Sequence, residues 1–220
     1  MRSWGPFWLI NHASADDMNP LQRRRLIERH RDSLNLHGYA PDALFWQSRG
    51  LQKVLFRVLA DIGVSAGDSL LDVGCGFADL HSWLRGHDLS VDYTGIDLSP
   101  EILATGARMN PGLNLLCGEL FDFAWPPRSF DWVVLSGTLN WNLHDDGGYA
   151  RRVITRMFEL CRQGVAFNML DARKFSVTQL GDMQAYDPGS ILEFCATLTP
   201  DCRCRSDYLP DDFTIYMRRA

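Results

Sequence analysis

Past residue 64 the chain alternates between short runs dense in β-branched and apolar residues and longer stretches whose apolar positions recur every three or four residues. The first kind predicts strands at residues 69–73, 91–96, 113–117, 130–135 and 165–170, and the second predicts helices at 78–85, 99–109 and 149–161. Strands whose runs are apolar throughout are buried on both faces, and their alternation with helices implies right-handed crossovers and a parallel sheet. Ligands of such sheets sit at the carboxyl ends of the strands. The tail breaks this rhythm: "CRCRSDYLPDDFTIYMRR" reads as two strands joined around Leu209-Pro210-Asp211-Asp212, an antiparallel hairpin. Ahead of the alternating region, Asn19-Pro20 caps a helix that should end near Gly38. Helical character resumes after Pro41, with a break near Gly50 and an end at Gly63.

Composition narrows the class. The chain has 220 residues, 46% of them apolar and 22% charged, which suits one domain with a real core and a helical N-terminal extension. Its net charge of −5 argues against a whole-surface attraction to nucleic acid or anionic lipid. A local basic patch remains open, and Arg23, Arg24, Arg25 and Arg31 on the first helix are its only candidates. No apolar run approaches the roughly 20 residues of a membrane span, which predicts a soluble, cytoplasmic protein. The start, "MRSWGPFWLINHASA", has the order of a secretory leader, but Pro6 and Asn11-His12 cut its apolar stretch short. Met18 would serve equally well as a start. Six scattered cysteines include no CxxC pair and no histidines at zinc spacing, so no metal site is expected and the thiols read as structural. Only Cys202-x-Cys204 is close enough to pair, with both side chains on one face of a strand.

The most informative stretch is "LLDVGCGFADL", residues 70–80, where a strand meets a glycine loop. Gly74 and Gly76 match the first two glycines of the dinucleotide fingerprint, but Asp79 stands at the third position. Asp97 follows Gly76 by 21 residues, the spacing of an acid that holds a ribose. Charge separates the two uses of such a loop. A pyrophosphate would face Asp72 and Asp79, whereas a ligand bearing an ammonium and a sulfonium would be attracted by them. S-adenosylmethionine has that charge pattern and a ribose for Asp97.

"LLDVGCGFADL", "YTGIDLSPEILATGARM", "LLCGELFDF" and "FDWVVLSGTLN" resemble, in order, the consecutive motifs of class I S-adenosylmethionine-dependent methyltransferases. The resemblance covers roughly residues 50–220. It implies a Rossmann-like α/β fold: a mostly parallel seven-stranded sheet, helices on both faces and an antiparallel C-terminal hairpin. Residues 1–50 would then form the extension and lid helices, and 51–220 the cofactor-binding domain. "Trp46-Gln47-Ser48" is similar to a helix that bacterial small-molecule members carry before the first strand.

Position by position, the resemblance implies that Asp72, Gly74, Cys75 and Gly76 frame the methionine part, with Asp72 near its ammonium. Asp97 would accept from both ribose hydroxyls, and Leu98 would lie on the adenine. Glu119 would meet the adenine amino group and the Leu120 amide its ring. Ser136 and Gly137 would line the route from sulfonium to acceptor. Trp46 and Arg49 are placed with the cofactor, and Tyr39 and Gln52 with them as a wall of the acceptor pocket. Phe45 reads as core. The departure from the family is Ala78, where many members have a third glycine; if that position needs positive φ, alanine is strained.

Methyl transfer from a sulfonium needs alignment and dryness more than a dedicated base. The absence of a nucleophile–base constellation therefore counts for nothing against catalysis. The segment after the fourth strand, "SGTLNWNLHDDGGY", lacks the Asn/Asp-Pro-Pro-aromatic turn of many nucleic-acid and protein N-methyltransferases. It offers His144 as a general base and Asn140 as a second catalytic candidate. Asn168 and Asp171 are further pocket candidates. The expected function is methyl transfer to a small molecule, yielding S-adenosylhomocysteine. The alternatives are an RNA or protein methyltransferase, or a non-catalytic cofactor-binding domain. The acceptor and the oligomeric state do not follow from these residues.

Overall fold

A computed structural model describes residues 17–219, so the leader-like start lies outside the described residues. The elements run α1 (Pro20–His37), α2 (Arg49–Ala60), β1 (Ser69–Val73), α3 (Asp79–Arg85), β2 (Asp92–Asp97), α4 (Pro100–Met109), β3 (Asn114–Cys117) and β4 (Phe130–Ser136). They continue with α5 (Gly148–Leu160), β5 (Cys161–Leu170), a single turn α6 (Val177–Leu180), α7 (Pro188–Ala196), β6 (Cys202–Arg205) and β7 (Asp212–Arg218). The strands form one seven-stranded sheet in the order β3-β2-β1-β4-β5-β7-β6. All neighbours from β3 to β5 are parallel, and β7 runs antiparallel between β5 and β6. This is the class I methyltransferase-like sheet expected from the motif order, with the hairpin as its antiparallel edge.

Alternation along each strand divides the core in two. Leu71 and Val73 of β1, Val133 and Leu135 of β4 and Phe167 of β5 face α5 and α7, among them Ile154, Met157 and Ile191. Leu70, Tyr93, Trp132 and Ala166 face the other way, toward Val58 and Leu59 of α2 and Leu80 and Leu84 of α3. Both faces are thus covered, which explains why the parallel strands read as continuous apolar runs.

Three expectations change. The break in the second helical stretch is not at Gly50: a short 3₁₀ turn at Pro41–Leu44 is followed by Phe45 in the left-handed region (φ 62°), and Ser48 caps α2 by accepting from the Leu51 amide. Trp46-Gln47-Ser48 therefore precedes the helix instead of lying on it. β5 starts four residues earlier than its apolar run, at Cys161 directly after α5, because the exposed polar pair Arg162-Gln163 interrupts the apolar pattern between buried Cys161 and Gly164. Helix α7 was not anticipated, although Asp187-Pro188 carries the same cap-and-proline signal as Asn19-Pro20; Asp187 accepts from the Ser190 amide.

Candidate cofactor and acceptor site

The glycine loop is shaped by its contacts with β2. The Gly74 and Cys75 amides both donate to the Ile96 carbonyl at 2.8 Å, and the Gly76 amide donates to Asp97 Oδ2 at 2.9 Å. Those amides are therefore engaged within the chain and cannot cradle a phosphate in the manner of a dinucleotide loop. Gly74 has φ +72°, and a Cβ there would stand 1.9 Å from Thr138 Oγ1, so the glycine also admits the turn that follows β4. Ala78 adopts φ 62° at the start of α3, so the strain expected of alanine at that position is present.

Asp72 is buried and accepts from the Tyr93 hydroxyl at 2.6 Å. Burial raises its carboxyl to about 7, the Tyr93 hydrogen bond working against that and the nearby Asp97 charge adding to it. Among the described residues no cation pairs with it. Asp97 Oδ1 accepts from the Ser99 amide at 2.9 Å, so this carboxylate joins the glycine loop to the start of α4. Asp79 is engaged elsewhere, accepting from Tyr39 Oη at 2.7 Å and from Gln52 Nε2 at 3.5 Å, with Arg49 at 3.9 Å. Arg49 lies over the Tyr39 ring. Of the two acids that should repel a pyrophosphate, only Asp72 borders the cavity described next.

That cavity, of about 400 Å³, follows the carboxyl edge of the sheet. Asp72, Gly74, Cys75 and Gly76 line it from β1, Asp97 and Leu98 from β2, and Ser136, Gly137 and Asn140 from the end of β4. Leu170 at the end of β5 and Asp211 and Asp212 at the start of β7 close its far side. Gln52, Leu55 and Phe56 of α2 form a wall. An aromatic roof is built where α1 meets the loops: His30, Phe45 and Trp141 pack edge to face with centroids 5.1–5.8 Å apart, and Arg29 lies 4.5 Å from the Trp141 ring centre. Phe45 is 38% exposed and belongs to this roof and not to the core. Trp46 also lines the cavity and lies so close to Gly137 that a Cβ there would meet its ring at 3.0 Å.

Not every expected residue is brought here. Glu119 and Leu120 are buried but do not line the cavity. Glu119 instead accepts from Tyr149 Oη at 2.6 Å and from the Met18 amide at 3.3 Å, with Arg23 at 3.4 Å; burial is the main cause of its raised carboxyl. His144 is exposed with φ 56°, outside the cavity, because the loop turns outward after Asn142, whose side chain accepts from the His144 amide. The histidine that does line the cavity is His30. Its Nδ1 lies 2.8 Å from the Leu26 carbonyl, which makes that nitrogen the protonated one and leaves Nε2 as an acceptor. Asn168 is buried beneath the floor, accepting from the Gly137 amide at 2.8 Å, and Asp171 is paired with Arg173. His30, Phe175, Met183 and Asp211-Asp212 were not anticipated in the cavity, since each depends on how segments distant in sequence fold back, and Thr138, which lines it beside Gly137, was not singled out either.

The donor set fits a cationic amino-acid nucleoside: a buried carboxylate without a counter-charge, a loop of small residues and a second carboxylate 2.9 Å from the loop amide. Comparison with known proteins agrees. The sequence model of a methyltransferase domain family matches residues 70–164, from β1 into β5. A Mycobacterium tuberculosis protein to which methyltransferase activity is ascribed is 29% identical over 167 residues, 71% of this chain and 98% of the relative. Both findings support a class I S-adenosylmethionine-dependent methyltransferase. Solved structures show the same methyltransferase fold. Magnesium protoporphyrin IX methyltransferase from Synechocystis PCC 6803, crystallised with S-adenosylmethionine, superposes with a TM-score of 0.65 at 14% identity, covering 96% of this chain and all of that one. A [4+2]-cyclase superposes with a TM-score of 0.59 at 17% identity over 83% of this chain and 72% of its own. At such identities only the fold is shared, so the acceptor of this methyltransferase has to be argued from its own cavity.

Proposed function

We propose that this S-adenosylmethionine-dependent methyltransferase acts on a small-molecule acceptor held in the β5–β7 half of the cavity. The observation that carries this reading is the roof: His30, Phe45 and Trp141 pack edge to face, with Trp46 beside them, over a cavity of about 400 Å³ at the carboxyl edge of the sheet, a concave pocket and not a broad flat face. A chamber lined mostly by apolar side chains with a few polar groups suits a small ligand. The arginines of α1 support the same choice. Of the candidate patch, Arg23 pairs with Asp122, Arg24 with Glu28 and Arg31 with Asp32, as the neighbouring Arg29 does with Asp182, which leaves only Arg25 of the four without an ion pair among the described residues and disfavours a polynucleotide.

The cofactor supplies an activated methyl group on a sulfonium, a good leaving group for in-line displacement. The chain's part is to bind, orient and exclude water. Asp72 would hold the ammonium and Asp97 the ribose hydroxyls, with Leu98 against the adenine. Ser136 and Gly137 would border the path of the methyl group, over which Trp46 closes. Asn140 would orient the acceptor: its Oδ1 accepts from the Leu170 amide at 3.2 Å, leaving Nδ2 toward the chamber. An acceptor with a proton to shed would find His30 Nε2 as the acceptor nitrogen in the lining. A cytoplasmic location fits these roles, and no described helix is long and apolar enough to cross a membrane.

Calorimetric titration with S-adenosylhomocysteine tests the first step. Saturable one-to-one binding, followed by methyl transfer to a member of a small-molecule panel and not to bulk RNA or protein, is the expected result. Binding without any transfer across all three acceptor classes would favour the non-catalytic alternative.

A further inference from the structure

Strand order fixes where the reacting atoms must meet. From β1 the sheet grows one way through β2 and β3 and the other way through β4 and β5, so the crevice between the carboxyl ends of β1 and β4 is the switch point at which ligands of such sheets bind. The segment Leu44-Phe45-Trp46 crosses it. A Cβ on Gly76, in the loop after β1, would stand 2.6 Å from Leu44 Cδ1, and one on Gly137, in the turn after β4, would stand 3.0 Å from the Trp46 ring. Between them Phe45 is held at φ 62°, its amide donating to the Asp42 carbonyl and the Trp46 amide to the Pro41 carbonyl, both at 3.0 Å. A bulky residue in the left-handed region is strained, and strain of this kind collects at ligand clamps.

His30 joins this strap from α1. It follows Leu26 by four residues, so the two share one face of the helix, and both line the cavity. Its ring packs edge to face on Phe45 at 5.3 Å and on Trp141 at 5.8 Å between centroids. The Leu26 carbonyl can only accept, so Nδ1, 2.8 Å away, carries the proton. Nε2 keeps its lone pair, and no described residue donates to it.

The rest of the lining selects the group that this lone pair serves. Apolar and aromatic side chains surround the acceptor half, among them Trp46, Trp141, Leu170, Phe175 and Met183. Four aspartates line the cavity as a whole, Asp72, Asp97, Asp211 and Asp212, and no described lysine or arginine does. Arg29 lies against Trp141, but it pairs with Asp182 and is not part of the lining. An acceptor carboxylate or phosphate would therefore enter without a counter-charge and against like charges. A neutral amine attacks a sulfonium methyl through its own lone pair and sheds a proton only afterwards, so it has no use for a base at the transition state. A hydroxyl has to lose its proton as the new bond forms, and an aromatic hydroxyl is acidic enough for an imidazole to take it.

We infer that the acceptor is a neutral aromatic hydroxyl compound and that His30 is the catalytic base. Nε2 takes the hydroxyl proton while an oxygen lone pair forms the bond to the methyl carbon. The carbon–sulfur bond breaks and its electron pair stays on sulfur, which yields the methyl ether and S-adenosylhomocysteine. The imidazolium then releases its proton to solvent.

This inference rests on the methyltransferase reading and names the acceptor of that same site, and the experiment keeps the two apart. The protein saturated with S-adenosylhomocysteine is titrated calorimetrically with 2-naphthol, 2-methylnaphthalene and 2-naphthoate, which share a ring system and differ in its substituent. The naphthol should bind saturably, about fivefold or more tighter than methylnaphthalene and about tenfold or more tighter than naphthoate. His30→Phe keeps an aromatic ring in the roof and removes the acceptor nitrogen. It should erase the naphthol's advantage over methylnaphthalene while binding of methylnaphthalene and of S-adenosylhomocysteine persists, which also shows that the variant is folded. With S-adenosylmethionine the unsubstituted protein should methylate the oxygen of 2-naphthol, and the variant should lose about 100-fold or more in kcat. On 4-nitrophenol, at a pH where it is already ionised, the loss should be below about threefold, a contrast that a merely structural role would not produce. Equal binding of naphthol and methylnaphthalene, tighter binding of naphthoate, or an advantage that survives His30→Phe overturns the proposal. So does absence of transfer to the naphthol, and transfer to 2-naphthylmethylamine in its place would make the acceptor an amine. An equal loss of kcat on both hydroxyl compounds overturns the role of His30 as base. Any of these results with S-adenosylhomocysteine still bound leaves the cofactor reading standing, whereas failure of the unsubstituted protein to bind it at all overturns that reading, and the proposal with it.

Discussion

Asp97 gives the sharpest test of how the loop and the cofactor are coupled. Its two oxygens accept from the Gly76 and Ser99 amides, both at 2.9 Å, so Asp97→Ala removes two backbone hydrogen bonds at once as well as the proposed ribose contact. Hydrogen bonds to a charged acceptor contribute about 1.5–3 kcal/mol each, and partial exposure places these toward the lower end. A total of about 3–4 kcal/mol follows, which for a chain of this length lowers the melting temperature by roughly 6–16 °C. The expectation from motifs alone, lost affinity with an untouched fold, is therefore too simple. Two ribose hydroxyls donating to the same carboxylate are worth a similar amount, so affinity for S-adenosylhomocysteine should fall by roughly 150- to 1000-fold. Loop disorder alone would also weaken binding, so a second ligand is needed. The 2′-deoxy analogue of S-adenosylhomocysteine should bind the unsubstituted protein at least about tenfold more weakly than the parent, yet bind the variant equally well. If the variant still distinguishes the two ligands to the same degree, Asp97 only fastens the loop, and its ribose role is refuted.

Other expectations follow from the same geometry. Gly74→Ala adds a methyl group 1.9 Å from Thr138 Oγ1 at positive φ, and should lower stability by about 2–4 kcal/mol in denaturant melts; Thr138→Gly in the same chain should restore part of it, whereas Gly67→Ala, with nothing nearby, should cost only the backbone term of about 1 kcal/mol. Asp72 has its folded carboxyl raised to about 7 from 3.8, so the empty protein binds more protons than the unfolded chain between those values and loses stability as pH rises from about 4 to 7. Asp72→Asn should flatten that slope in melts across this range while weakening cofactor binding. Because an ammonium favours ionised Asp72, S-adenosylhomocysteine affinity should fall up to tenfold per pH unit below about 7, and the Asn variant should show no such trend. With an acceptor in hand, His144→Ala should change kcat by less than about twofold, since the side chain is exposed, whereas His30→Gln, which keeps a side chain of similar reach without an imidazole in the cavity lining, should lower kcat/KM by about tenfold or more.

What could be read from sequence, and what could not, divides along the range of the interactions. β1, β2, β4 and their intervening helices are fixed by local signals: apolar runs, Ser99-Pro100 and Asn19-Pro20 caps, and glycines that end a strand. The place of Asp72 and Asp97 in the cavity lining was legible because they stand on the adjacent strands β1 and β2, whose order follows from the motifs along the chain. Glu119 was misplaced for the opposite reason. It follows β3 as the motif requires, but the start of α1, 101 residues away, brings the Met18 amide and Arg23 to it, and α5 brings the Tyr149 hydroxyl. His30 and Asp212 were invisible for the same reason: α1 reaches the chamber by packing over Trp141, and Asp212 by β7 inserting beside β5.

The division has a consequence for specificity. The half of the cavity lined by β1 and β2 is built from contiguous motif residues, so it is constrained by the shape of one cofactor. The half lined by β5, β7 and the roof is assembled from four separate segments, α1, the Phe45 loop, the Trp141 loop and the Leu209–Asp212 turn, each closed by a few contacts such as the Trp141–Met183 bridge and the pair of Arg29 with Asp182. Substitution in any one of these reshapes the acceptor chamber without disturbing Asp72 or Asp97. The fold can therefore keep its cofactor while changing what it methylates, and the proposed acceptor specificity belongs to the segments that line the β5–β7 half and the roof and not to the glycine loop.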